Sequence, residues 1–343
     1  MIFDAPCKIN LHLAIQGKRE DGFHALESLF IALDLRDTLD LKQCAEGNSA
    51  FCPGKDGESG ASICRIETDS SDLPEEFASV FYNLPEEKNI IYKAVKIFRE
   101  KIGALYPTKT FSPEVEKTLK TVFYPLKITV KKRIPPGAGL GGGSSDAAAT
   151  LRALNTLSGE ALDHQTLCTA AAEIGSDVPF FLSGSAAYIT GRGENSTTIP
   201  CPDISVVLVN PLFLSDTARA YRLLDNFRAA DKSALEPMKG RVLLSERLSQ
   251  LDSPDFALHD IAQKNEYFKN DFLPVFLTQG TDTEKTTYKA MLSDLNDLGA
   301  DFAGLSGSGS TCFGIFKNRY RAENAALKLQ KKWCFVRLTK PYP

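Results

Sequence analysis

No stretch of this 343-residue chain approaches the ~20 consecutive apolar residues that a bilayer span requires. The first residues, MIFDAPCKINLHLAIQG, also lack the basic-then-apolar run and small-residue cleavage site of a secretion signal. The chain therefore reads as cytoplasmic, with no membrane partner. Excess charge of one sign is missing too: the net charge is −3, with 24% charged residues. A nucleic-acid partner, whose footprint is a basic bias, is not expected. Histidine is scarce, with four residues, and none of the eight cysteines forms a Cys-x-x-Cys pair. That spacing excludes the common zinc sites. Free thiols are expected in a chain of this length without an export signal. Cys44, Cys52 and Cys64 share one polar stretch, and metal ligation there stays open. No internal repeat or low-complexity tail is present.

The remaining composition, with 43% hydrophobic residues, is ordinary for a soluble globular protein. Residues 5–15 (APCKINLHLAI) alternate Ile9, Leu11, Leu13 and Ile15 with Lys8, Asn10 and His12. Period two predicts a half-buried strand. A turn containing Asp-Gly-Phe-His follows, then a second strand in ESLFIALDLRDTLDLK. Residues 43–85 and 103–124 lose periodicity and read as surface insertions. Between them, Ile90, Ile91, Ala94, Val95 and Phe98 share one helical face. LKITVKKRI (126–134) alternates again. From Ser205 the order is strand, helices, strand, glycine turn, strand, helix, strand, a split βαββαβ pattern.

Between the strand at 126–134 and a helix over 144–157 lies RIPPGAGLGGGSSDAAATL, with five glycines in seven residues. Glycines allow backbone N–H groups to approach a ligand without an intervening Cβ. A helix start carries unpartnered N–H groups and partial positive charge. A glycine turn feeding a helix start is therefore an anion site, usually for phosphate. No Gly-Lys-Ser/Thr closes it, which excludes a Walker A loop. Gly137, Gly139 and Gly142 match the dinucleotide G-x-G-x-x-G. However, the preceding strand is amphipathic, two prolines intervene, and no second strand supplies an acid about 20 residues on. A nicotinamide oxidoreductase is thus disfavoured. No H-R-D or D-F-G triplet supports a protein kinase.

PPGAGLGGGSSDAA resembles the P-x-x-x-G-L-G-x-x-x-S signature of the GHMP kinases, small-molecule kinases acting on galactose, homoserine, mevalonate and related alcohols. The early A-P-C-K-I-N-L-H-L and the late G-L-S-G-S-G-S-T-C-F-G are similar to the family's first and third motifs, in the right order. D-G-F-H and I-G-S-D-V-P-F-F fit best the branch that phosphorylates the 2-hydroxyl of a cytidine-diphosphate-linked sugar alcohol. The resemblance implies an α+β protein of the GHMP kinase fold, with an N-terminal domain like ribosomal protein S5 domain 2 over residues 1–203. A ferredoxin-like domain over 204–343 would follow. ATP and Mg²⁺ are the implied cofactors. The implied partner is a small-molecule substrate; metal ligands and oligomeric state are left open.

Carried residue by residue, the resemblance implies that Pro135, Pro136, Gly137, Ala138, Gly139, Leu140, Gly141, Gly142, Gly143, Ser144 and Ser145 hold ATP, with Asn89 near its nucleoside. Lys8 would polarise the acceptor hydroxyl and stabilise charge, and Asp177 would be the general base. Asn10, Phe23, His24, Tyr221 and the turn Ser306, Gly307, Ser308 and Gly309 would bind substrate. Each role has a structural alternative: helix caps at Asp177 and Asn89, core packing at Phe23 and Tyr221, a surface turn at His24, and a hairpin turn at 306–309. A kinase for mevalonate or homoserine, and a non-enzymatic sensor on the same fold, are the competing functions. A substrate without a base needs neither the Asp-Gly-Phe-His turn nor Tyr221, and a sensor needs no base.

Overall fold

A computed structural model describes residues 1–18, 20, 22, 24–43, 63–82, 84–105, 123, 125–230 and 268–343. Most of the two expected insertions, Phe23, and residues 231–267 of the expected helical stretch lie outside the described residues. The chain divides into two compact units. The first comprises Met1–Cys7, Leu35–Pro136 and Gly141–Gly184; the second comprises Lys8–Asp34, Gly137–Leu140 and Ser185–Pro343. Two long strands, β1 (Ile2–Lys18) and β2 (His24–Gln43), pair with each other and contribute residues to each unit.

In the first unit, β4 (Leu126–Lys131) lies antiparallel to Thr38–Gln43 of β2. Leu126, Ile128 and Val130 are buried, while Lys127, Thr129 and Lys131 face outward, as the alternation predicts. On its other side β4 pairs in parallel with β3 (Cys64–Asp69), which α1 (Glu75–Tyr82) follows. Part of the expected insertion 43–85 is therefore ordered secondary structure. Cys64 and Phe77 are buried there, at 1% and 0% exposure. Helix α2 (Ile90–Leu105) packs along α3 (Gly142–Leu157) and α4 (His164–Ile174). Ala94, Val95 and Phe98 of α2 and Ala147, Ala148 and Leu151 of α3 are fully buried. The short α3 side chains allow that close approach.

In the second unit, β5 (Ala186–Gly191) pairs antiparallel with Leu26–Ile31 of β2, and β6 (Asn195–Thr198) with β5. A separate sheet has the order β10–β7–β9–β8, from β7 (Ser205–Asn210), β8 (Phe302–Leu305), β9 (Cys312–Phe316) and β10 (Phe335–Thr339). All its pairings are antiparallel. This is the ferredoxin-like arrangement expected from the split pattern. The connecting helices are α6 (Thr217–Ala230), α7 (Phe272–Gln279), α8 (Asp282–Asp297) and α9 (Arg319–Leu329); α5 (Phe180–Ser183) belongs to the first unit. Val207 and Val209 of β7, Leu224 of α6, Phe276 of α7, Met291 of α8 and Leu329 of α9 share one core. Leu13 and Ile15 of β1 complete it.

One expectation needs correction. Strand β1 is not half-buried: every residue from Ala5 to Ile15 is buried, Lys8, Asn10 and His12 included. Its polar side faces the interior instead of solvent, where hydrogen bonds to Lys8 and Asn10 replace water.

Candidate active site

The glycine-rich loop touches a second glycine turn within the second unit. Gly139 has φ +74°, and a Cβ there would lie 2.1 Å from the Ser306 carbonyl oxygen and 2.9 Å from that of Gly309. Only glycine fits both that conformation and that spacing. Around it, Thr311 N donates to Ala138 O at 3.2 Å and Ser215 N to Gly137 O at 2.8 Å. Ser306 Oγ donates to Gly139 O at 2.9 Å. The turn 306–311 is bracketed in turn by asparagines. Asn270 Nδ2 donates to the carbonyls of Leu305 and Gly307, at 2.8 Å each. Asn210 Nδ2 reaches Thr311 Oγ1 at 2.9 Å and Ser310 Oγ at 3.2 Å. Ser308 Oγ meets Thr217 Oγ1 at 2.9 Å. The late glycine turn thus braces the first loop and is more than a hairpin connection.

Lys8 enters the same network. Its N–H donates to Leu140 O at 2.9 Å, tying β1 to the loop. Its ammonium donates to Asn10 Oδ1 at 2.5 Å and lies 4.3 Å from the centroid of the Phe30 ring. Asn10 Nδ2 donates to Ser28 Oγ at 2.9 Å, and Ser28 Oγ to His12 O at 2.5 Å. Lys8 is 3% exposed. A lysine held this way is a buried positive charge with its direction fixed, unlike a solvated surface lysine. Asn10 serves first to aim that charge.

His24 opens β2. Its Nε2 lies 2.8 Å from Asp225 Oδ1, and its ring stacks on Tyr221, with centroids 5.0 Å apart and planes 21° apart. Tyr221 makes an edge contact with Phe272 at 5.0 Å. The two expected nucleobase-binding residues are therefore together, and His24 is not a bland surface-turn residue.

In the first unit, α3 starts at the end of the glycine loop. Its N-cap is Gly141, in the left-handed conformation, and no side chain caps it. The first intrahelical bond runs from Ser145 N to Gly141 O at 2.9 Å. The N–H groups of Gly142, Gly143 and Ser144 come before it and carry the positive end of the helix dipole. Ser145 Oγ and Asp146 Oδ1 are buried with no hydrogen-bond partner among the described residues. Asp146 Oδ2 accepts from Lys132 Nζ at 2.6 Å, and Lys132 also pairs with Asp37. Asp37 Oδ1 accepts from the N–H groups of Arg133 and of Ile134, the latter at 2.9 Å. All three side chains are 5% exposed or less. Burial raises the Asp146 carboxyl to about 7, against the opposing pull of Lys132 and with help from Asp37. Burial alone would lower Lys132, but the two carboxylates outweigh it and hold the ammonium above its usual value.

Asn89 starts α2: its Oδ1 accepts from Ile91 N at 2.9 Å. This is the capping role weighed for it on sequence. Asp177 is half-buried in the turn 176–179. It does not cap α5, whose N-cap is Pro179. Among the described residues, no group of three His, Cys, Asp or Glu side chains is placed to hold a metal ion. Sequence reasoning missed Ser28, Asn210, Asn270, Asp225 and the Lys132–Asp37–Asp146 cluster. Asn210-Pro211 was a signal in hindsight, as a turn dipeptide after an apolar strand.

A run of left-handed glycines leading along the chain into a helix start with no side-chain cap is the local geometry of an anion site. The chain belongs to the GHMP kinases: the N terminal domain of that family matches residues 89–185 and its C terminal domain residues 254–333. Over 93% of its length it is 32% identical to the 4-diphosphocytidyl-2-C-methyl-D-erythritol kinase of Enterococcus faecalis, covering 91% of that protein. It is 33% identical to the chloroplastic 4-diphosphocytidyl-2-C-methyl-D-erythritol kinase of Arabidopsis thaliana over 91% of this chain and 66% of that one. A crystal structure of 4-(cytidine 5'-diphospho)-2C-methyl-D-erythritol kinase superposes with a TM-score of 0.69 at 26% identity, covering 100% of both chains. No described helix is long and apolar enough to cross a membrane.

Proposed function

We propose that this protein transfers the γ-phosphoryl group of ATP to the 2-hydroxyl of 4-diphosphocytidyl-2-C-methyl-D-erythritol. The products are the 2-phosphate and ADP, in the cytoplasmic non-mevalonate route to isoprenoid precursors. Residues 1–203 form the ATP-binding domain and 204–343 the C-terminal domain. The observation that carries the proposal is the glycine loop: three left-handed glycines, Gly137, Gly139 and Gly141, lead into a helix start with no side-chain cap. Such a start takes the phosphates of ATP on N–H groups, each charge-assisted bond contributing about 1.5–3 kcal/mol. The buried Ser145 hydroxyl, without a hydrogen-bond partner among the described residues, is a further polar group for that end of the ligand.

In the reaction the acceptor oxygen bonds to the γ-phosphorus, the bond to the β–γ bridging oxygen breaks, and ADP leaves with that electron pair. Asp177 accepts the hydroxyl proton. Lys8, held by Asn10, stabilises the charge that develops on the phosphoryl oxygens. Mg²⁺ bound with ATP would offset the charge of its phosphates; no cluster of His, Cys, Asp or Glu among the described residues is placed to hold it, so phosphate oxygens and water would supply most of its ligands. His24 reads the cytosine, with Tyr221 beside it.

The test is ADP release with Mg-ATP and three acceptors: the cytidine compound, mevalonate and homoserine. Turnover with the cytidine compound alone is the expected result; turnover with another acceptor moves the enzyme to a different branch. Binding of ATP with no turnover on any acceptor would make the protein a sensor. Asp177→Asn should keep ATP binding and lose at least about 10²-fold in kcat. Full activity in that variant removes Asp177 as the base.

A further inference from the structure

We infer that Asp225 is a specificity-positioning residue: it fixes the tautomer of His24, and so makes the site select an amino-bearing pyrimidine over an oxo one. This rests on the assignment of His24 to the nucleobase.

The geometry is local, with the Asp225 side chain 45% exposed at its outer edge. Tyr221 and Asp225 stand four residues apart on α6, so they share one face of that helix. Each grips the same imidazole. Tyr221 lies against its face, 5.0 Å between centroids. The Asp225 carboxylate meets its Nε2 at 2.8 Å. The His24 side chain is 10% exposed, so its ring has little room to turn. Helix α6 is itself anchored at both ends. Arg219 makes a bidentate pair with Glu284 at 2.6 and 2.8 Å. Arg228 donates to Ile15 O at 2.7 Å and to Asp271 at 3.2 Å.

A carboxylate only accepts hydrogen bonds. Beside it, the neutral imidazole must carry its proton on Nε2, which leaves the Nδ1 lone pair as an acceptor. Nδ1 has no hydrogen-bond partner among the described residues. An acceptor at that position suits the exocyclic amine of cytosine, a donor. It repels the corresponding carbonyl oxygen of a uracil-type base. Discrimination of this kind is strong, because a mismatched base leaves two acceptors facing each other. Asp225 touches no base in this scheme; it acts through His24.

The test compares wild type, Asp225→Asn and Asp225→Glu, with calorimetric binding of CDP and UDP as probes. An amide can donate to Nε2 as well as accept, so Asp225→Asn releases the tautomer. The preference for CDP over UDP should fall by about tenfold or more in Asp225→Asn, with ATP affinity unchanged. Asp225→Glu should restore most of it. KM for the cytidine substrate should rise more than kcat falls. Nitrogen-15 spectra should show a proton fixed on Nε2 of His24 in wild type and shared between both nitrogens in Asp225→Asn. A wild-type preference for CDP that Asp225→Asn leaves intact overturns the inference and spares the assignment of His24. Equal binding of CDP and UDP by wild type overturns both.

Discussion

Two regions hold the glycine loop, and they do so by opposite chemistry. Residues 137–140 and the turn against them are braced by neutral groups: the Asn210 and Asn270 amides, the Ser306 hydroxyl and backbone carbonyls. Nothing in that bracket changes charge near neutral pH. The strand before the loop and the helix after it are joined by Lys132 between Asp37 and Asp146, three ionisable groups in a dry interior. A neutral network fixes position and is indifferent to pH. A charged cluster fixes position too, but its strength depends on where the protons are.

The largest effect should come from breaking the charged side. Lys132→Met leaves two carboxylates buried without their counter-ion and should cost about 3–5 kcal/mol of unfolding free energy. Denaturant titration at pH 7 measures it, and a loss under 1 kcal/mol would mean the cluster is wet. Asn270→Ala on the neutral side should cost about 1–3 kcal/mol, because two carbonyls lose their donor. Gly139→Ala should cost a similar ~1–3 kcal/mol from the left-handed backbone, with further loss of ATP affinity as the Ser306 carbonyl is pushed aside. Calorimetry with ATP separates those two effects.

The smallest effect sharpens the comparison most. Asp146 binds its proton more tightly in the folded chain than in the unfolded one, with a carboxyl pushed up to about 7. Its stabilising contribution is therefore full below about pH 4 and is lost as pH rises through about 7. Asp146→Asn should flatten that part of the stability profile, while Asn270→Ala should shift the profile down without changing its slope. Identical slopes in wild type and Asp146→Asn would show that the Asp146 carboxyl is ionised throughout.

What could be read before the fold was known followed from local pattern. The alternation of β1 marked Lys8, Asn10 and His12 as a polar row, and the five glycines of 137–143 marked a turn that leads into a helix start. The C-terminal strand order also followed from periodicity. What could not be read depended on partners far along the chain. Asn210 meets Thr311 across 101 residues, and His24 meets Asp225 across 201. No spacing rule reaches that far. Strand β3 was hidden for another reason: it is six residues long, with only Cys64 fully buried. The full burial of β1 was missed because alternation reveals two faces but not that both are covered.

The participation of β1 in the C-terminal core also bears on biosynthesis. Ile15 N donates to Asp271 at 2.8 Å, a partner 256 residues later, and Leu13 N to Lys269 O at 2.7 Å. At ribosomal rates of about 5–20 residues per second, β1 waits for those partners on the order of tens of seconds. During that interval Leu13 and Ile15 are exposed on the nascent chain. This strand is thus the segment on which a holdase would act, and completion of the second unit is largely a post-translational event.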